Sequence, residues 1–214
     1  MLQGGRMKLT STELSTRITL TQRELLNGSI AGALRQVECL KNSRNGKAAE
    51  DYESKGYGKE GQGLWNNSIE GVLGEIAVAR YLGLYPYGLM ERSNDHPDVG
   101  EHYEVRTRCK EWMELFFKVE DETREWDKPD KPDKYYILVT GSYGTYDIRG
   151  WISAPEILSH PEWHHNNEGK TTKRYWVPTE FLHPMEELPE CPVTSSQSSS
   201  PSTKITQYDS YRTS

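Results

Sequence analysis

The chain is short of the residues that usually make cores, crosslinks and membrane spans. Phenylalanine occurs 3 times in 214 residues and cysteine 3 times. Cys39, Cys109 and Cys191 are odd in number, far apart and in no CxxC pair. That argues against a disulfide scaffold or a structural zinc site and for reduced thiols in a cytoplasm. No apolar run is long enough to span a bilayer and the start carries no signal-peptide pattern, so no membrane partner is expected. Positive charge is also in deficit, with 26 Lys and Arg against 32 Asp and Glu and a net charge of −6. Bulk electrostatics therefore do not favour a protein that coats nucleic acid, although an acidic pocket flanked by local basic residues is compatible with this balance.

Apolar residues make up 34% of the chain and charged residues 27%, and 6 Trp and 13 Tyr supply much of the apolar area that Phe does not. A chain of this length holds one sizeable core. The composition divides it into a flexible polar N-terminus (1–18), one α/β domain (19–188) and a disordered Ser/Thr/Pro-rich tail (189–214).

Within the domain, Thr21 and Glu24 form a capping-box pattern. Leu25, Leu26, Ile30, Ala33, Leu34, Val37 and Leu40 follow at helical spacing, so a helix covering one side of a sheet is expected over 21–42. Lys41 to Gly63 is charged and Gly-rich and reads as a long loop. Its Lys47, Lys55 and Lys59, with Arg35 on the preceding helix, are candidates for contacts to a phosphate backbone. A second helix is expected over 67–82, burying Ile69, Val72, Leu73, Ile76 and Ala79, with Glu75 at the border of that stripe and Glu70 on another side. Strands follow at 103–109, 114–119, 134–140 and 145–152, with a short one near Asp98. Tyr135-Tyr136-Ile137-Leu138-Val139 suits a central strand, and a Gly-Ser-Tyr-Gly turn suits a hairpin. Ala154-Pro155-Glu156-Ile157 reads as a helix start, Arg174 to Val177 as an edge strand and Thr179 to Leu182 as a turn of helix. A helix through Ser-His-Pro-Glu-Trp-His-His would bring His160 and His164 to one face, but nothing nearby supplies the further ligands of a zinc site.

The chemistry concentrates between Asn67 and Lys110. A helix acid comes first (Glu75, with Glu70 second), then Asp95 and Pro97-Asp98 at a turn, then Glu104-Val105-Arg106 on a strand. The strand period puts Glu104 and Arg106 on one face. Oxygen ligands in this set suit Mg²⁺ or Mn²⁺, and a hard metal beside a cation suits phosphodiester chemistry.

This order resembles the PD-(D/E)XK nuclease superfamily, with Arg106 where the family pattern has Lys. The resemblance implies a mixed central sheet flanked by helices, a restriction-endonuclease-like core. It further implies a Mg²⁺- or Mn²⁺-dependent endonuclease or exonuclease acting on DNA in preference to RNA, with a homodimer among the expected states. Asp98, Glu104 and a helix acid (Glu75 or Glu70) would hold the metal. Arg106 could orient water or neutralise the transition state but could not act as a base. Lys110 or Lys118 would then supply the missing amine, with Arg108 and Lys110 touching the nucleic acid. The Val105-Arg106-Thr107 strand and Gly150-Trp151-Ile152 are similar to segments of uncharacterised phage and bacterial proteins, which implies a phage or mobile-element source and a host cytoplasm. The alternative is a nuclease-fold protein without catalysis that binds nucleic acid or a host protein. A small acidic interaction protein of unrelated α/β fold stands third.

Overall fold

Two glycines set how the helices meet. In a computed structural model, which describes residues 15–42, 64–84, 97–119, 131–165 and 174–190, helix α1 (Gln22–Asn42) packs against helix α2 (Leu64–Leu82). Gly28 faces Leu73 and Gly32 faces the backbone of Ile69. A Cβ on Gly32 would stand 2.5 Å from the Ile69 Cα, so the approach requires a residue without one.

This crossing overturns one expectation. Leu26, Ile30 and Leu34 are 60%, 53% and 52% exposed. The face of α1 that packs carries Gly28, Ala31, Gly32 and Gln36, all buried. Periodicity cannot weigh close backbone contact against a row of large side chains, and here the close contact won. α1 therefore packs mainly on α2 and reaches the sheet through Leu25 at the Gly144 turn. The capping box does form: Thr21 N–H donates to Glu24 Oε2 (2.6 Å) and Glu24 N–H to Thr21 Oγ1 (3.3 Å).

α2 is covered on both sides, and every residue from Val72 to Ala79 is buried. Gly74 lets it settle on Thr107, whose Oγ1 would lie 2.0 Å from an added Cβ. Beneath it is a mixed sheet of β1 (Thr16–Thr19), β2 (Tyr103–Arg108), β4 (Tyr135–Ser142) and β5 (Thr145–Ser153), in the order β1-β5-β4-β2. β2 runs parallel to β4, and the other pairs are antiparallel. The β4–β5 hairpin turns through Tyr143 and Gly144 at φ 54° and 87°, the left-handed pair a two-residue hairpin favours.

The sheet organisation differs from the expected one in three places. β1 falls inside the stretch read as a flexible N-terminus. Thr-Arg-Ile-Thr is too short to stand out in sequence, and it is held by its antiparallel register with β5. β3 (Leu115–Lys118) does not join the central sheet but pairs with β7 (Arg174–Val177), which pairs in turn with β6 (His164–His165). β7 is thus the middle strand of this second sheet and not an edge. Near Asp98 there is a single bridge, Val99 with Tyr103, where a strand was expected. The tail lies outside the described residues apart from Pro189 and Glu190, and of the long loop only Lys41 and Asn42 are described, as the end of α1.

Two apolar clusters flank the central sheet. One, containing Val72, Ile76, Val105, Ile137, Val139, Ile148 and Trp151, fills the space under the helices. The other, containing Leu115, Phe117, Tyr136, Leu138, Ile152, Ile157 and Val177, lies against the second sheet and the short helix α3 (Ala154–Leu158). Ser153 caps α3 with Pro155 in its first turn, as the sequence suggested. Among the described residues no helix is long and apolar enough to cross a membrane.

Candidate functional site

Among the described residues β2 is the last strand of the central sheet, and its outer edge carries the Val99–Tyr103 bridge. Asp98, just before it in sequence, uses that edge: its Oδ2 accepts from the Val105 N–H at 2.8 Å. From there its charge reaches Glu75 on the helix side and Glu104 on the strand. Both are shifted by it. Glu75, 5% exposed, is raised from 4.5 to about 7, first by burial and then by Asp98, with Arg35 opposing and Glu104 adding a smaller push. Glu104 is raised to about 7 by burial and then Asp98, against the pull of Arg106 and Lys131. Acids from a helix, a turn and a strand thus act on one another electrostatically.

Glu75 and Glu104 each have a cation. Arg35 grips Glu75 through two bonds of 2.6 Å, Nη1 to Oε1 and Nη2 to Oε2. Lys131 Nζ stands 3.1 Å from Glu104 Oε1, although that oxygen lacks a well-aligned hydrogen bond. Arg106 Nη1 is 3.8 Å from Glu104 Oε2, so the two do share a strand face. The Tyr136 hydroxyl donates to the Lys131 carbonyl at 2.9 Å and so fixes the Lys131 backbone. Tyr136 is also the β4 register partner of Glu104, and the Arg106 guanidinium lies 5.1 Å from its ring centroid.

The remaining candidates fall elsewhere. The Glu70 carboxylate accepts from the Tyr146 hydroxyl and from the Tyr143 N–H, which ties α2 to the β4–β5 turn. Arg35, expected to face a phosphate or solvent, is committed to Glu75. Lys110 is exposed in the turn after β2, and Lys118 lies on β3 opposite Arg174. The amine beside Glu104 is Lys131, which the sequence presents as part of a Lys-Pro-Asp turn. Its only sequence signal was its place directly before the central strand. Lys47, Lys55, Lys59 and Asp95 lie outside the described residues. His160 does not meet His164 across a helix. Residues 161–163 form a single 3₁₀ turn, His160 stacks on Trp163 at 3.9 Å, and its Nδ1 contacts Glu162 at 2.7 Å.

Compared with protein-family models, curated proteins and solved structures, the chain matches none of them. Function is therefore argued from the geometry. The donor set suits a hard cation, because the charge of a divalent ion would favour the ionised form of carboxylates that burial disfavours. Asp98 and Glu104 are the pair for it, since both oxygens of Glu75 are taken by Arg35. Among the described residues, no three His, Cys, Asp or Glu side chains are grouped tightly enough to hold an ion together.

Proposed function

We propose that the protein is a metal-dependent phosphodiester hydrolase, a nuclease acting on DNA, with a core of the restriction-endonuclease type. The observation that carries this reading is one edge strand, β2, that presents Glu104 to the Lys131 amine at 3.1 Å and holds Asp98 through the Val105 N–H. Asp98 and Glu104 would hold Mg²⁺ or Mn²⁺, which when bound lowers the pKa of water and neutralises charge on phosphoryl oxygens. The chain's own groups do the rest. Lys131 takes the place of the family's lysine and can orient water or balance the charge on Glu104. Arg106 stays charged throughout and serves the charge that develops on the phosphate.

A specific observation favours a second reading, a nuclease-type fold that binds nucleic acid without cutting it. Arg35, Lys131 and Arg106 already neutralise the acids that a metal would need. Plasmid and single-stranded DNA incubated with Mg²⁺ or Mn²⁺, against EDTA and against Glu104→Ala, test the first reading. Cleavage that requires both the metal and Glu104 supports it. No cleavage with any metal, together with no heat of Mn²⁺ binding by calorimetry, leaves the second.

A further inference from the structure

Helix α1 buries its small residues and leaves large aliphatic ones in water. Leu26, Ile30 and Leu34 are each more than half exposed. They stand four residues apart, so they form one continuous row along the helix. That row lies on the side turned away from the buried Gly28, Ala31, Gly32 and Gln36. It continues at one end to Glu38, and Arg23 stands a turn before Leu26 at the other; both charged residues are exposed. Single exposed leucines are ordinary, but a contiguous aliphatic row rimmed by charge marks a contact surface.

We propose that this row is where two copies of the chain meet, α1 against α1 of the partner, antiparallel about a two-fold axis at Ile30. The face is symmetric about that residue, with Leu26 four positions before it and Leu34 four after. A two-fold axis there sets Ile30 on its own counterpart and each Leu26 on the partner's Leu34, the self-complementary contact such an axis requires. Rows of this spacing pack ridge into groove, with the two helices crossing at about 50°.

Charge selects both the occupant and its direction. Arg23 lies seven positions before Ile30 and Glu38 eight after, so antiparallel alignment brings each Arg23 to the partner's Glu38 at both ends of the contact. A parallel alignment would set Arg23 on Arg23 and Glu38 on Glu38, which like charge disfavours. The face therefore supplies, in a second copy, the cation and the anion that each of its ends lacks. Three aliphatic side chains per copy cover less than the ~800 Å² per partner of a standard interface, so the dimer is weak, with a dissociation constant on the order of 10 µM. The pairing does not use the carboxylate site and does not rest on the hydrolase reading.

Sedimentation velocity on the full chain tests it, over concentrations from about tenfold below to about thirtyfold above that constant. Wild type should move from the mass of one chain toward that of two. Ile30→Glu puts two carboxylates at the axis and should weaken pairing at least about hundredfold. Its melting temperature at low concentration should match wild type, because Ile30 is exposed in the single chain. Leu34→Gln acts twice per dimer, should weaken it about tenfold, and serves if Ile30→Glu does not fold. Arg23→Glu alone and Glu38→Arg alone should each weaken it about tenfold at low salt, and the double exchange should return wild-type affinity. A wild type that stays monomeric throughout overturns the pairing and leaves the row to a partner of other chemistry. A dimer indifferent to Ile30→Glu and Leu34→Gln has its interface elsewhere and overturns it as well. A double exchange that fails to recover affinity overturns the antiparallel register. Cleavage enters none of these outcomes, so the pairing and the hydrolase reading stand or fall separately.

Discussion

Arg35 on α1 and Glu75 on α2 are joined by two parallel hydrogen bonds of 2.6 Å, with side chains 17% and 6% exposed. The pair crosses the helix junction where Gly28 and Gly32 bring the backbones together. It makes the inner helix's acid depend on the outer helix. Removing one partner of a buried pair leaves the other charge without compensation. Arg35→Ala is expected to destabilise the fold by about 3 kcal/mol in chemical denaturation. The double change Arg35→Met with Glu75→Leu should recover most of that loss. A double variant no more stable than the single would show that the pair is not the source of the effect.

Gly32→Ala tests the crossing itself. The new methyl would sit 2.5 Å from the Ile69 Cα, and backbone on both sides cannot yield as a flexible side chain could. A loss of about 1–3 kcal/mol is expected. A melting temperature at or above that of wild type would mean that the helices are farther apart than this.

Glu75 and Glu104 link stability to pH. Both have native values near 7 against an ordinary 4.5. The native state therefore holds protons that the unfolded chain has released. Their contribution is complete below about pH 4.5 and is lost as pH rises through about 7. Stability should fall across this window by on the order of 1–3 kcal/mol, and the Glu75→Gln, Glu104→Gln double variant should show a flatter profile. Thermal melts between about pH 5 and 8 compare the two. A double variant as pH-sensitive as wild type would assign the dependence to other groups.

Glu70 was a candidate metal ligand by sequence, and its bonds to Tyr146 and to the Tyr143 backbone give it a different part. Glu70→Ala should cost about 1–3 kcal/mol, because the buried Tyr146 hydroxyl loses its acceptor. Any metal-dependent cleavage should remain at the wild-type rate per folded molecule. A cleavage defect with stability intact would return Glu70 to the site.

Arg106→Lys puts at that position the residue of the pattern that the sequence resembles but does not reproduce the geometry of Arg106. The Arg106 guanidinium lies between the rings of Phe116 and Tyr136, 5.6 and 5.1 Å from their centroids. An ammonium cannot reproduce a planar contact of that kind. With Lys131 already beside Glu104, the substitution should lower cleavage at least tenfold, and Lys131→Ala should lower it by about 10²–10⁴. Full activity of Lys131→Ala would exclude it as the site's amine.

Much of the framework was legible in the residues themselves. The Thr21–Glu24 box and the helical spacing of both segments are local signals, and both helices lie within a few residues of where those signals put them. The apolar run at Tyr135, the Gly-containing hairpin turn and the alternation around Glu104 are equally local, because a strand's period and a turn's φ values are set over two to four residues. The order of acids from Glu75 through Asp98 to Glu104 was readable for the same reason.

What only the tertiary structure decided depends on partners distant in sequence. β1 exists because β5 pairs with it, and β3 leaves the central sheet because β7 competes for it. The buried side of α1 was chosen by the room above Ile69 and not by the row of Leu26, Ile30 and Leu34, so steric fit overruled hydrophobic pattern. Arg35 and Lys131 look like ordinary surface cations until the fold brings Glu75 and Glu104 to them. A charge's role is fixed by what lies within a few ångströms of it, and that distance is a property of the folded chain.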